Sequence, residues 1–374
     1  MIPLNKPGYL KSVYNQDYIS SNFPDCQSLI TATAGDGLNL IYRRLREQRG
    51  TLRVAVSPFA CFQAIYPIVV NGHTPVFIDI DKDTFNTDAE KLINRKDVDA
   101  VELIHLGGNP NQMDVICQWA ELHNIVIIED CAQALGSTFN GKKTGTFGDY
   151  AVFSLIKNIH APIGGLLLSK ANLATKELPQ VSSLVYVYRQ IKKFLESQSN
   201  HHTYNVWNLC YLLLLKLKEK GVKPMNDSCK GVGTSMDIEL RNTLSAIDQL
   251  NRKRLENATY IINNVDESKY KIQMVPKGGD SNRNRLLFRI PKPKAEQTIM
   301  QLRKAGIAAN NLTQNYLHGF QPHVCKDKWL GAYYHKEYLK CYDAIFNHII
   351  AIPCSPFLKG SEMDYMIKTL NQTI

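Results

Sequence analysis

Three short stretches carry side chains of types that could do chemistry together. The first is an apolar run, Ile125-Val126-Ile127-Ile128, ending in Glu129-Asp130-Cys131-Ala132-Gln133. A carboxylate such as Asp130 at the end of a buried strand can hold a cationic ring nitrogen, because its charge raises the pKa of that nitrogen. Gln133 stands three residues on, within reach of the same ligand. An N-cap at a strand–helix junction would give the same pattern. The second stretch is Tyr150-Ala151-Val152-Phe153-Ser154-Leu155-Ile156-Lys157, followed by Gly164-Gly165. A lysine just past an apolar strand is a candidate Schiff-base amine, and desolvation would help supply its neutral form. A solvated loop lysine is the alternative. The third is Ala32-Thr33-Ala34-Gly35-Asp36-Gly37-Leu38. A small-residue turn feeding a helix presents free N–H groups and the positive end of the dipole to a phosphate. A plain helix cap reads the same way. It is not a dinucleotide fingerprint, since Leu40 stands where the third glycine belongs, and no Gly-Lys-Ser/Thr follows to make a P-loop.

These residues need a frame. Arg53–Val56, Val76–Ile78, Ala100–Ile104, Ile125–Ile128, Tyr150–Phe153 and Leu166–Leu168 are short apolar runs expected to be buried strands. Between them lie helical patterns: Leu38, Ile41, Tyr42 and Leu45 share one face, as do Met113, Cys117, Ala120 and the neighbouring Leu122. Strands alternating with helices imply an α/β, mostly parallel sheet covered on both faces. Ligands on such sheets bind outside the carboxyl ends of the strands. After Ser169 the pattern changes. Val185–Glu196 and Tyr204–Lys220 read as helices, and one long helix is expected over Ile238–Val265. Strands at Tyr270–Met274 and Arg285–Ile290 and a helix at Ala295–Ala305, closed by Gly306, complete a smaller α+β part. The expected division is 1–237 and 238–374, with 170–230 a helical insertion.

Composition bounds the function. The chain has 374 residues, 44% hydrophobic and 21% charged, which excludes a disordered or collagen-like chain. Forty-four basic against 34 acidic residues give a net charge of +10, which suits an anionic partner. No arginine-rich run or zinc-finger spacing occurs, so nucleic acid is not expected. Nine cysteines, an odd count without CxxC, fit a reduced cytoplasmic protein, and the first residues hold no apolar leader. Phe194 beside Lys192-Lys193 and Trp207–Leu215 before Lys216-Leu217-Lys218 could lie on an anionic membrane surface. Helices packed on the large domain or across a dimer are the preferred reading of that segment.

Taken together, phosphate cradle, carboxylate and lysine, in that order on a parallel sheet, resemble the DegT/StrS family of sugar aminotransferases, within the aspartate aminotransferase fold. The resemblance runs over nearly the whole chain. Gly72-His73-Thr74-Pro75-Val76-Phe77-Ile78-Asp79, His105-Leu106-Gly107-Gly108-Asn109-Pro110, Glu129–Gly136, Lys142–Asp149, Phe153-Ser154, Lys157-Asn158, Gly164-Gly165, Gly306-Ile307 and Ile352-Pro353 carry it. It implies a pyridoxal-phosphate-dependent transferase of fold type I. It makes Lys157 the Schiff-base lysine and places Asp130 on the pyridinium nitrogen and Gln133 on the ring hydroxyl. Ala34, Gly35 and Ser154 would hold the phosphate. The implied substrates are glutamate and a keto sugar on a nucleoside diphosphate, for surface polysaccharide or antibiotic sugars. The implied assembly is a homodimer. Substrate-side candidates are Asn284, Tyr316 and His318. No metal is implied.

The sequence also departs from the family. Ser154 and Lys157 are three apart, where two more residues are usual. Ala34-Gly35 replaces a hydroxyl-bearing phosphate turn. Cys61 stands near the position of the ring-stacking aromatic, with Phe59 and Phe62 as neighbours able to substitute. The partner-subunit segment reads Gly231-Val232-Gly233-Thr234-Ser235-Met236 and lacks its Asn and Arg. A degenerate member that binds a nucleotide sugar or a partner without turnover is the alternative function. A dehydratase variant, in which histidine replaces the lysine, is disfavoured by the presence of Lys157.

Overall fold

Seven strands form the main sheet in the computed structural model, which describes residues 2, 17–173, 178–182, 185–187, 189–190, 229–290, 295–311 and 339–373. They are β1 (Gln27–Thr31), β2 (Arg53–Val56), β3 (Thr74–Phe77), β4 (Ala100–Ile104), β5 (Val126–Asp130), β6 (Tyr150–Ser154) and β7 (Gly165–Ser169). Their spatial order is β1-β7-β6-β5-β4-β2-β3. β7 pairs antiparallel with both β1 and β6, and the other pairings are parallel. The parallel strands are Val- and Ile-rich and buried on both faces, as a covered parallel sheet requires. One face carries α1 (Ala34–Arg49) and α2 (Phe62–Val70), whose Leu38, Ile41, Tyr42 and Ile65 pack with Val54, Val56, Ile128 and Val152. The opposite face carries α3 (Met113–His123), whose Met113, Ile116 and Trp119 meet Val101, Leu103 and Ile127. The lysine region forms one short turn of helix, α4 (Leu155–Asn158), directly after β6.

Two helices, α5 (Thr234–Leu244) and α6 (Ile247–Asn264), lead into a second, four-stranded antiparallel sheet. Its strands are β8 (Lys271–Ile272), β9 (Leu286–Arg289), β10 (Asn310–Asn311) and β11 (Ile349–Ile352), in the order β8-β9-β11-β10. The helices α7 (Ala295–Lys304), α8 (Lys340–Ile345) and α9 (Gly360–Thr373) complete this part, and α7 and α9 share its core with β9 and β11. Asp79 ties it to the large sheet. Its buried carboxylate accepts the Lys91 ammonium at 2.7 Å and the Cys341 and Tyr342 N–H groups of α8 at 2.9 and 2.8 Å.

Several expectations are corrected. The single helix over Ile238–Val265 is two, broken at Ser245-Ala246, because periodicity across a one-turn interruption looks continuous. Leu122 does not join the buried face of α3 but is 82% exposed; Ile116 and Trp119 fill that face instead. The strand expected over Tyr270–Met274 shortens to Lys271–Ile272. β1 was not foreseen, since Gln27-Ser28 at its start masks the strand pattern. The 237/238 boundary falls inside α5, so a division of the chain there stands as a proposal. The helical stretch Tyr204–Lys220 lies outside the described residues, as do Tyr316 and His318. Among the described residues, no helix is long and apolar enough to cross a membrane.

Candidate active site

The three stretches meet at one rim of the sheet. Thr31, at the end of β1, pairs with Gly165, at the start of β7, and Gly165 pairs with Ser154, at the end of β6. Asp130 ends the neighbouring β5, paired with Val152 and Ile104. Because β7 runs antiparallel, its first residue lies at the carboxyl edge of the others. That places the turn before α1, Ser154, Lys157 and Asp130 side by side.

The turn before α1 is drawn tightly against this rim. A Cβ on Gly165 would lie 2.4 Å from the Thr33 carbonyl carbon and 2.5 Å from the Ala34 nitrogen. Only glycine lets the strand and the turn approach so closely. Thr33 does supply a hydroxyl next to Ala34-Gly35, but it caps α1: its Oγ1 accepts the Asp36 N–H at 3.1 Å and donates to Asp36 Oδ2 at 2.5 Å. Lys230 comes from the other side of the chain, its N–H donating to Asp36 Oδ1 at 3.0 Å, and the Ala32 N–H donates to its carbonyl at 2.8 Å. This neighbour was not foreseen, for it lies 194 residues away in sequence.

Asp130 is buried, and its Oδ1 accepts the Ala132 N–H at 2.9 Å. Burial raises the pKa of its carboxyl, and the Lys157 ammonium opposes that rise, helped by the Ala132 N–H. Lys157 also opposes the upward push that burial gives the Cys61 thiol. Lys157, Asp130 and Cys61 therefore share one electrostatic neighbourhood. Gln133 is buried too, and its Oε1 accepts the Gly107 N–H at 3.0 Å, leaving the amide nitrogen as its donor. Cys61 caps α2 through its backbone position without a side-chain hydrogen bond. Phe59 is not available as a stacking substitute: it is buried, its ring edge against Tyr342 at 4.8 Å. Phe62 packs toward Tyr66, ring centroids 5.1 Å apart.

The lysine turn is held from behind. Asn158 donates to Ala132 O at 3.0 Å and Ser154 O at 2.8 Å and accepts the Leu135 N–H at 3.3 Å. Asn284, at the entry to β9, donates to Lys157 O at 3.1 Å, and its own Oδ1 is buried without a partner among the described residues. Arg254 on α6, fully buried, donates to Asn158 O at 3.0 Å and to Asn251 Oδ1 at 2.5 Å. Asn251 and Asn282 both donate to Leu135 O. Arg254, Asn251 and Asn282 carry no motif of their own; Asn158 is marked by its place beside the lysine, and Asn284, the substrate-side candidate, sits against the lysine turn. His105, Glu129 and Cys131 bring ligand atoms within 4.8 Å of one another. Glu129 is already satisfied there by the N–H groups of Gly145, Phe147 and Gly148, each at 2.8 Å, so the group is a hydrogen-bonded core.

Residues 25–371 match the family described as the DegT/DnrJ/EryC1/StrS aminotransferase family. The chain belongs to that family. It is 26% identical over 347 residues to a dTDP-3-amino-3,6-dideoxy-alpha-D-galactopyranose transaminase of Aneurinibacillus thermoaerophilus, covering 90% of this chain and 83% of that protein. It is 36% identical over 121 residues to a GDP-perosamine synthase of Escherichia coli O157:H7, covering 31% of this chain. The chain covers only 39% and 33% of two of the curated relatives it matches. In structure it resembles the sugar aminotransferase CalS13 of Micromonospora echinospora, with a TM-score of 0.72, 17% identity and full coverage of both chains. That likeness establishes the fold: an aspartate aminotransferase-type α/β architecture.

Proposed function

We propose that this protein is a pyridoxal-phosphate-dependent aminotransferase moving an amino group from an amino acid, glutamate by family expectation, to the keto sugar of a nucleotide sugar in surface-glycan synthesis. Family membership supports the reaction class, and the names of the two curated relatives support a nucleotide-sugar substrate. The observation that carries the reading is the shared neighbourhood of Asp130 and Lys157 at the carboxyl rim. The net charge of +10 suits a substrate bearing a diphosphate.

The residues present fit the cofactor. Asp130 is a buried carboxyl whose charge burial disfavours, so a cationic ring nitrogen against it gives what the protein alone does not. Gly165 lets the Thr33-Ala34 turn at the start of α1 sit directly against the rim, where a Cβ would clash with its backbone. Pyridoxal phosphate, when bound, supplies an aldehyde that condenses with a primary amine and a ring that draws electrons from the carbon losing its proton. Lys157 would present that amine, and its Nζ would hold and return the proton of that carbon. Asp130 keeps the ring nitrogen protonated. Gln133 donates its amide N–H to the ring hydroxyl. Ala34, Gly35 and Ser154 hold the phosphate, and Cys61 borders the ring where the family has an aromatic. Asn284 steadies the Lys157 carbonyl and faces the substrate side. A cytoplasmic homodimer is part of the proposal, supported by the family resemblance and by free thiols such as Cys131 and Cys354.

The test is spectroscopic. Purified protein is expected to be yellow, to bleach on addition of glutamate and to regain colour with an accepted keto sugar nucleotide. Borohydride is expected to fix the cofactor's mass on the Lys157 peptide. Protein that stays colourless with added pyridoxal phosphate would refute the reading.

A further inference from the structure

A second buried acid stands one step behind Asp130. Glu102 on β4 is fully buried, paired with Val56 on one side and Ile128 on the other. Ile104, two residues on, pairs with Asp130. Residues two apart on a strand share a face, so Glu102 and Asp130 both point to the side of the sheet covered by α1. There Tyr42 donates its phenol hydrogen to Glu102 Oε2 at 2.5 Å, while Glu102 Oε1 has no hydrogen-bond partner among the described residues. Of the elements packed around it, α1 contributes Tyr42, β5 contributes Asp130 and β2 contributes only Val56. His73 lies beyond Tyr42, its ring centroid 5.6 Å from the phenol ring.

The two carboxyls are not equivalent. Charge on Glu102 is opposed by burial first and by the Asp130 charge second, and only the phenol favours it. Asp130 has the Lys157 ammonium and the Ala132 N–H on its side. Asp130 therefore ionises first, and Glu102 faces the charge that results. Two carboxyls in one dry neighbourhood do not both ionise.

We propose that Glu102 is a second carboxyl of the ring-nitrogen site, held as the neutral acid so that Asp130 carries the single negative charge there. This rests on the reading that Asp130 faces a cationic ring nitrogen. Glu102 does not touch the ring; it is a positioning residue acting through Asp130. Its proton sits on Oε1, the oxygen without a partner, while Oε2 takes the Tyr42 hydrogen. The pair then presents one negative charge to one positive nitrogen.

The experiment begins with the cofactor-free protein. Infrared spectra at neutral pH are expected to contain the carbonyl band of a protonated carboxylic acid that E102Q lacks and D130N keeps. Absence of that band in wild type, or its survival in E102Q, overturns the proposal. Should E102Q not fold, Y42F serves: the band is expected to move as the hydrogen-bond partner of that carboxyl disappears, and a band that does not move overturns the assignment. Stability gives a second readout. The folded-state pKa of Glu102 lies above its unfolded value, so between the two the unfolded chain gives up a proton that the native state keeps, and stability falls as pH rises. The melting temperature of wild type is expected to drop relative to E102Q from pH 4 to pH 8, and a constant difference counts against the proposal. Equilibrium dialysis of pyridoxal phosphate separates the two readings. A loss of about tenfold or more in D130N supports the ring-nitrogen site. No loss overturns that reading and the role of Glu102 with it, whereas a missing infrared band overturns the neutral acid alone.

Discussion

Replacing Arg254 separates what holds the fold from what holds the lysine. The guanidinium is 1% exposed and hydrogen-bonds two neutral oxygens, Asn158 O and Asn251 Oδ1. Burial pushes its pKa from 12.5 down to about 10, which corresponds to about 3 kcal/mol of cost for carrying the cation at neutral pH. Arg254→Met removes that cost and keeps most of the side-chain volume. It also leaves two buried acceptors unpaired, at about 1–3 kcal/mol each. The terms nearly offset, and the net change lies between a gain of about 1 and a loss of about 3 kcal/mol, a few degrees in melting temperature for a chain of this size. Arg254→Ala adds a cavity and loses about 2–5 kcal/mol more. The lysine turn feels both changes alike, since Asn158 O loses its anchor in each. Thermal unfolding of cofactor-free protein, paired with equilibrium dialysis of pyridoxal phosphate, reads the two effects separately. Arg254→Met is expected to melt close to wild type yet bind the cofactor about tenfold more weakly. Wild-type affinity in Arg254→Met would sink the idea that Arg254 acts on the lysine turn.

Lys157→Ala is expected to abolish turnover and to leave no borohydride-fixed cofactor on the 155–158 peptide, as read by mass spectrometry. Asp130→Asn removes a carboxyl whose folded-state pKa is raised by burial. Its ionisation therefore costs stability above the unfolded pKa of about 3.9. The cofactor-free variant is expected to melt above wild type at pH 7, with the gap closing below pH 4, while turnover falls by about 10²–10³-fold; a variant that melts lower at pH 7 contradicts the sign. Gly165→Ala drives a Cβ into the Thr33-Ala34 backbone, an overpacking cost of about 1–3 kcal/mol. It is expected to weaken pyridoxal phosphate more than unphosphorylated pyridoxal in a binding titration. Equal weakening of the two would remove the phosphate from that turn.

The central frame was legible because it is written in local pattern. Ala100–Ile104 and Arg53–Val56 are strands with the expected bounds, since unbroken β-branched and apolar runs of that length have few other uses. The three chemistry-bearing stretches could be placed at one rim because strand ends in a parallel sheet share an edge. What stayed hidden depends on contacts distant in sequence. Arg254 and Asn251 lie in a helix whose surface reads as ordinary, and their meaning appears only when α6 crosses behind Asn158. Phe59 looked free to stack on a ring until Tyr342, 283 residues later, turned out to occupy it. Lys230 at the turn before α1 is a third case. Sequence gives the strand ends and not which distant segment fills the space beside them.

The adjacent carboxylates Glu129 and Asp130 make the physical point most directly. Alternation along β5 sends them to opposite faces. Glu129 enters the side of Ile127 and α3, where Gly145, Phe147 and Gly148 converge three N–H groups on it and His105 Nε2 lies 3.2 Å away. Nothing is left there for a ligand to add. Asp130 enters the side of Ile128 and α1, with one N–H donor and a lysine in electrostatic reach. Among the described residues its carboxyl has fewer hydrogen-bond donors than that of Glu129. The same alternation on β4 puts Glu102 on Asp130's side, and a one-residue shift of either strand would part them. A charged site is thus specified less by acidic residues, which the strand end offers twice, than by which of them the fold leaves unsatisfied.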